Sequence, residues 1–218
     1  MKHVLPRKTF AVAAAVVLTG LVMGSAQGQI AAGGKAPFDK PTFDDIQSPE
    51  FMTGGGKQKR FKGKDWLEIE IKLNLPSAGG PRAKGKVIEK LTVKWFVAVK
   101  NPDKAGTTLL LTKEVEHINI PTDEDVYCSV YLSPVSVKRL TGFDRAGKNA
   151  VEAVGYEVLV DGERIGAGTS KFQPGWWDKL SDKIARSETV PLLTKNETPF
   201  QAMWWDRYAE VKPVQAAK

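Results

Sequence analysis

The nine residues LEIEIKLNL, from Leu67 to Leu75, decide the fold of this chain. Leucine and isoleucine occupy every second position of this stretch, and Glu, Lys and Asn occupy the positions between them. In an extended chain, a two-residue period places the apolar side chains on one face and the polar side chains on the other. The stretch therefore predicts a half-buried β-strand with one face against a core and the other toward water.

Strands of the same kind are predicted along the rest of the chain. An Asp161-Gly162 pair between two of them indicates a tight hairpin, because both residue types tolerate positive φ. Asn101-Pro102-Asp103 separates two others, since proline fixes its own dihedral and Asn and Asp bond their own backbone. The predicted strands are Val87 to Val99, Thr107 to Ile120, Val126 to Leu132, Val151 to Val160, Arg164 to Thr169 and Glu188 to Thr194.

Two helices are expected among these strands. The first follows Ser133, whose hydroxyl can cap a short proline-initiated helix that ends at Gly142. The second follows Thr198-Pro199-Phe200-Gln201, which has the capping-box spacing and predicts a helix to about Glu210. An apolar stripe along this second helix is expected to place Trp204 against the core.

The strand pattern predicts a mainly β protein. Six or seven short strands, separated by turns and by no helix long enough for a parallel crossover, indicate antiparallel sheets. Two packed sheets, a β-sandwich with short helices and a C-terminal helix, fit this pattern best. A partly open β-barrel is the alternative, because both architectures produce alternating strands. The predicted sandwich domain spans residues 61–212, and a disordered tail follows over 213–218.

The N-terminus is typical of a secretory signal peptide. Lys2, Arg7 and Lys8 precede an almost uncharged apolar run over 10–23, and the small residues Gly24-Ser25-Ala26 follow it. The run is shorter than the roughly 20 residues that a membrane-spanning helix needs. We therefore expect the first 26 residues to be removed and the protein to be exported to the periplasm, the outer surface or the medium. Membrane contact is expected only through the uncleaved signal segment.

A flexible basic leader is predicted over residues 27–60, where glycine and proline are frequent. The net charge of +7 falls to +4 when the three basic residues of the signal segment leave. The leader and the residues after it carry a cluster of basic side chains. Export excludes nucleic acid as its target, so the cluster favours docking to an anionic envelope, glycan or partner. The alternative is a solvated flank of the domain. This cluster consists of Lys57, Lys59, Arg60, Lys62 and Lys64.

The sequence predicts no catalytic, metal or cofactor site. Beyond the signal segment, His117 is the only histidine and Cys128 the only cysteine, so no disulfide can form within the chain. Cys128 alternates with apolar residues, which predicts a buried and unreactive thiol. Two such ligands are too few for a zinc site, and no phosphate-binding loop or Gly-x-Ser-x-Gly elbow occurs. We therefore expect a non-enzymatic protein.

Paired tryptophans indicate a surface on which sugar rings can stack. Trp176-Trp177-Asp178 offers flat indole faces for sugar rings and a carboxylate for their hydroxyls. The triplet recurs at Trp204-Trp205-Asp206. Adjacent residues of an extended or helical segment cannot both face inward, so Trp177 and Trp205 are each candidates for either binding or core packing.

Behind the signal peptide come the Lys57-rich entry, the stretch Leu91 to Val99, the strand Tyr127 to Leu132 and the segment Thr198 to Tyr208. In this order, and with these aromatic residues, the chain resembles a family of exported verrucomicrobial proteins that are encoded with type IV pilus genes and described as pilus-like. The resemblance covers about Phe61 to Tyr208. It implies an immunoglobulin-like sandwich related to pilin head domains, and a role in surface assembly or adhesion.

Pilins keep a long apolar N-terminal helix, whereas the apolar run here is short and ends at a predicted cleavage site. An accessory role is therefore expected. We predict an exported protein that binds a protein partner in a pilus or surface assembly, or an anionic surface glycan, through strand edges and loops. A carbohydrate-binding module that uses its exposed tryptophans is the alternative.

Overall fold

A computed structural model of the chain describes residues 38–50, 62–77, 87–145, 147–179, 181 and 183–213. The predicted signal peptide and the tail beyond Pro213 lie outside the described residues. Within the described ranges, no helix is long and apolar enough to cross a membrane.

The described residues form ten strands and one α-helix, so the predicted mainly β class is confirmed. Residues Pro134–Thr141 form the helix, α1. The strands are β1 (Thr42–Gln47), β2 (Asp65–Leu73), β3 (Val87–Lys100), β4 (Thr108–Pro121), β5 (Val126–Leu132), β6 (Val151–Val160), β7 (Glu163–Thr169), β8 (Ile184–Arg186), β9 (Leu193–Thr194) and β10 (Glu210–Val211).

These strands form two sheets, as the sandwich prediction requires. One sheet has four strands in the order β1-β2-β5-β9. The other has six, of which β10-β4-β3-β6-β7 form a continuous path, while β8 pairs with β4. Each of these strand pairs is antiparallel except β4 with β8, which is parallel.

The core lies between the two sheets, and the alternation of β2 fills one side of it. Leu67, Ile69, Ile71 and Leu73 are almost completely buried, and the polar residues between them are partly exposed. On the six-stranded side, Trp95 belongs to the same buried cluster. Burying each of these aliphatic side chains contributes about 1.5–3 kcal/mol, and a one-residue slip of β2 would expose them all.

The two most local predictions are confirmed. Ser133 caps α1 by accepting a hydrogen bond from the backbone N–H of Ser136 at 3.3 Å. Gly142 ends the helix at φ 78°, a left-handed conformation that glycine adopts without strain. In the turn between β6 and β7, Asp161 and Gly162 have φ of 49° and 84°, as a two-residue hairpin of type I′ requires.

The flexible leader predicted over residues 27–60 contains a strand, so the prediction is wrong for Thr42–Gln47. These residues form β1, which pairs with β2 over its whole length. The partly buried Phe43 packs against the core, and a carboxylate oxygen of Asp45 accepts a hydrogen bond from the backbone N–H of Lys148 at 3.2 Å. The local sequence does not predict this strand, since it contains two acidic residues and is flanked by prolines. Its stability comes from partners elsewhere in the chain.

The predicted C-terminal helix is also wrong. A single 3-10 turn at Lys195–Glu197 carries the capping box, which Thr194 and Glu197 form. Turns follow over residues 199–207, and Trp204 has φ 50°, which is incompatible with a right-handed helix. The chain then enters β10. Of the strand predicted over Glu188 to Thr194, only β9 is paired.

Replacing one inward residue of β2 tests this assignment of faces. We expect Ile69→Ala to lower the free energy of unfolding by about 2–5 kcal/mol, because it leaves a cavity in the core. Lys72→Ala, on the opposite face of the same strand, should leave stability nearly unchanged, since its ion pairs with Asp39 and Asp125 are partly exposed. Urea unfolding of both variants provides the comparison, and equal effects would refute the assignment.

Candidate functional site

The Cys128 thiol and the His117 imidazole are buried in different sheets. Cys128 lies in β5 and is 1% exposed, and His117 lies in β4 and is also 1% exposed. Burial raises the pKa of the Cys128 thiol, so the reactive thiolate is disfavoured. Burial also lowers the pKa of His117 to about 4, despite backbone contacts with Ala209 and Glu210. Among the described residues, no group of His, Cys, Asp and Glu side chains could hold a metal ion.

The tryptophans of the first triplet pack on the outer face of the six-stranded sheet. Trp177 is 1% exposed and stacks on Phe96 with ring centroids 4.6 Å apart. A Cβ placed on Gly155 would lie 2.3 Å from the Trp177 ring, so only glycine leaves room for the indole. Trp176 donates its indole N–H to Thr169 Oγ1 at 3.1 Å, and Asp178 is exposed. Trp177 therefore has no free face for a sugar, contrary to the platform hypothesis.

The basic cluster is described only in part. Lys57, Lys59 and Arg60 lie outside the described residues, whereas Lys62 and Lys64 are exposed. The latter two line an open cavity of about 540 Å³ together with Gly63, Phe143, Asp144 and Arg145. Phe143 is 69% exposed, so cations and an apolar ring meet at this surface.

A different site forms on the outer face of the four-stranded sheet, where side chains of residues 195–209, here called the C-terminal segment, contact β2 and β5. Glu68 and Glu70 of β2 point outward and anchor this segment. The Tyr208 hydroxyl lies 2.7 Å from Glu70 Oε2 and 3.0 Å from Glu68 Oε1. Tyr131 of β5 donates its hydroxyl to Glu68 Oε1 at 2.7 Å. Burial, together with these carboxylates, raises the pKa of both tyrosines, so both stay protonated.

Arg207 fixes the end of the C-terminal segment by charge and stacking. Its guanidinium donates to Glu70 Oε1 at 2.8 Å and lies 3.5 Å from the ring centroid of Tyr127. The backbone N–H of Ala209 donates to the carbonyl of Tyr127 at 2.8 Å. The segment is thereby fastened to β5 immediately before it enters β10.

Lys195 is the unusual residue of this site, because it is only 5% exposed. Its ammonium donates to the carbonyl oxygen of Gln201 at 3.2 Å. It also lies 5.1 Å from the ring centroid of Tyr208 and 5.9 Å from that of Trp205. Burial lowers the pKa of Lys195. The sequence does not mark this residue as functional, since nothing beside it in the chain distinguishes a buried lysine from an exposed one.

The second tryptophan pair is exposed next to this lysine. Trp205 is 63% exposed and lines a cavity of about 240 Å³ with Lys195 and Tyr208. Trp204 is 49% exposed and stacks on Phe200, so the prediction that it packs in the core is wrong. Its φ of 50° is a strained conformation for a bulky side chain, and strained residues concentrate at functional sites. The recurring Trp-Trp-Asp triplet was the sequence signal for this pocket.

One further surface is a strand edge. In the described part of the chain, β7 pairs only with β6. The backbone N–H of Ser170 donates to the carbonyl of Val154 at 2.8 Å. Because ladder bonds alternate along an antiparallel pair, the N–H of Gly168 also faces β6 and that of Ala167 faces away.

Comparisons with known proteins identify relatives over most of the chain. A sequence model of one protein family matches residues 27–215. A crystal structure of a protein from Akkermansia muciniphila is 37% identical, covers 81% of this chain and 92% of its own, and superposes with a TM-score of 0.75. No curated protein matches the chain. The expected resemblance to proteins of verrucomicrobial bacteria is thereby confirmed, since this relative comes from such a bacterium.

Packing at Gly155 is testable. We expect Gly155→Ala to lower the free energy of unfolding by about 1–3 kcal/mol, because the added methyl group displaces the Trp177 ring. In a Trp177→Ala background the same change should cost much less, since the obstructing ring is gone. Thermal unfolding of the four proteins gives the coupling energy, and additive effects would contradict the packing described.

Burial of His117 predicts a pH dependence. Its pKa is lower in the folded protein than in the unfolded chain, so the unfolded chain binds more protons between pH 6.5 and 4. The contribution of His117 to the free energy of unfolding is fully present above about pH 6.5. It declines as the pH falls toward 4, by at most about 3 kcal/mol. Relative to wild type, His117→Gln should therefore gain stability on acidification. A difference between the two proteins that does not change with pH would exclude this effect.

Proposed function

The chain belongs to the protein family matched over residues 27–215, the family of its Akkermansia muciniphila relative, and on this basis we propose that it is an exported, non-enzymatic accessory of a pilus-like or adhesion system. It acts by binding other proteins of that assembly. The pilus association follows from the family resemblance, and export follows from the predicted signal peptide.

The observation that carries the proposal is the outer edge of β7. Within the described residues, no strand pairs with this edge. An edge strand presents backbone N–H and C=O groups that can accept another strand, and many proteins recognise extended partners in this way. The N–H of Ala167 points from this edge toward such a partner.

The edge is held rigid from the inside of the protein. A Cβ on Gly166 would lie 2.2 Å from the Phe38 ring, and one on Gly168 would lie 2.5 Å from the Tyr156 ring. The Tyr156 hydroxyl donates to the carbonyl of Asp39 at 2.6 Å. These aromatic rings support β7 before any partner arrives, which reduces the entropy lost on binding.

The state of the reactive groups supports a binding role over catalysis. The Cys128 thiol is buried with a raised pKa, and the His117 imidazole is buried and neutral at pH 7. A nucleophile and a general base need access to substrate and matched pKa values, and these two groups offer neither.

Blocking the edge without breaking the fold tests this function. We expect Ala167→Pro to remove the outward N–H and to crowd an incoming strand, while the ladder to β6 stays intact. In the producing cells, the wild-type protein should be retained in sheared surface appendages, and Ala167→Pro should be released from them. Immunoblotting of the sheared and soluble fractions is the measurement.

Ala167→Ser is the matched control, because it changes the same side chain and keeps the N–H. It should be retained like the wild type, and all three proteins should show similar melting temperatures. Absence of the wild-type protein from the surface fraction would contradict the pilus-like role. Retention of Ala167→Pro at wild-type levels would contradict the role of the β7 edge.

A further inference from the structure

Lys195 is a buried lysine that lacks a direct ionic partner among the described residues. Lysine is almost never fully buried unless it is paired, since removing an ammonium from water is costly. Among the described residues, no carboxylate forms an ion pair with Lys195, although the residue is only 5% exposed. The two carboxylates that face the C-terminal segment, Glu68 and Glu70, are engaged by tyrosine hydroxyls and by Arg207. Glu68 attracts the ammonium through space but makes no direct contact with it. A carboxylate that enters the adjoining cavity can therefore still form a direct ion pair with Lys195.

The cavity beside Lys195 has the size and the lining for one small ring. Its volume of about 240 Å³ equals roughly eight water molecules at about 30 Å³ each, which is below the range typical of drug-sized ligands. Trp205 contributes an exposed indole to the wall, and an apolar sugar face stacks well on such a surface. Asn196, Gln201 and Glu210 surround it with groups that hydrogen-bond to hydroxyls.

We propose that this cavity binds an acidic sugar, whose carboxylate pairs with the Lys195 ammonium while its ring stacks on Trp205. Glu210 also lies on the cavity wall, and its negative charge repels the ligand carboxylate. The ligand therefore orients with its carboxylate toward Lys195. The strained backbone at Trp204 fixes the direction in which the next residue, Trp205, projects. This site lies on the outer face of the four-stranded sheet and is independent of the β7 edge.

Pairs of glycosides that differ in one group test the proposal. Methyl glucuronide carries a carboxylate where methyl glucoside carries a hydroxymethyl group, and the two are otherwise identical. Methyl galacturonide and methyl galactoside form a second pair with the same difference. Each is titrated into the full mature protein by tryptophan fluorescence and by calorimetry. We expect at least one acidic glycoside to bind about tenfold or more tightly than its neutral counterpart, and salt should weaken the difference.

Variants assign the effect to the cavity. Trp205→Ala should abolish binding. Trp176→Ala should leave it unchanged, because the indole of Trp176 lies outside the cavity wall and bonds to Thr169 on the other sheet. Lys195→Met keeps the length of the buried stem without the charge, and should reduce acidic-sugar affinity about tenfold, to the level of the neutral sugar. Melting temperatures establish that each variant is folded.

Several outcomes overturn the proposal. The proposal fails if neither acidic glycoside binds, or if each acidic glycoside binds no better than its neutral partner. It also fails if Trp176→Ala abolishes binding as Trp205→Ala does. The wild-type comparison decides the matter even if Lys195→Met fails to fold. A peptide with a free C-terminal carboxylate that binds the cavity when both acidic glycosides fail would reassign it to a protein ligand.

Discussion

The structure depends on the strict alternation of side chains along β2. On one face, the leucine and isoleucine side chains form one wall of the core between the sheets. On the other face, Glu68 and Glu70 receive hydrogen bonds from the C-terminal segment. The same two-residue period thus produces both the hydrophobic core and the platform that supports the Trp205 cavity. A register shift in this single strand would destroy both at once.

The two Trp-Trp-Asp triplets show how tertiary context decides the role of a motif. At Trp177, a facing glycine in β6 and a stacked phenylalanine bury the indole completely. At Trp205, the turn that contains Trp204 carries the indole away from the sheet and leaves it exposed. The local sequences are alike, so the difference lies in what the neighbouring strands place opposite each ring.

Features decided within a few residues were predictable from sequence, namely the alternating strands, α1 and the hairpin between β6 and β7. The strand β1 was not, because its stability comes from pairing with β2 and from contacts with Lys148. The spacing at Thr198 suggested a helix, yet the capping box forms at Thr194 and Glu197 and leads into turns. For the candidate site, the triplet indicated Trp205, whereas the burial of Lys195 arises from residues far along the chain.

The C-terminal segment closes the outer face of β2 with partners that lie far apart in sequence. Arg207 and Glu70, for example, are 137 positions apart. Contacts of such long range form slowly, because a large loop must close before they are gained. A partial chain that has not yet been extended past Arg207 leaves these acidic side chains in solvent and β4 without the pairing that β10 provides. The native arrangement on this face forms only once residues 195–211 are present, so this segment is among the last to join the fold.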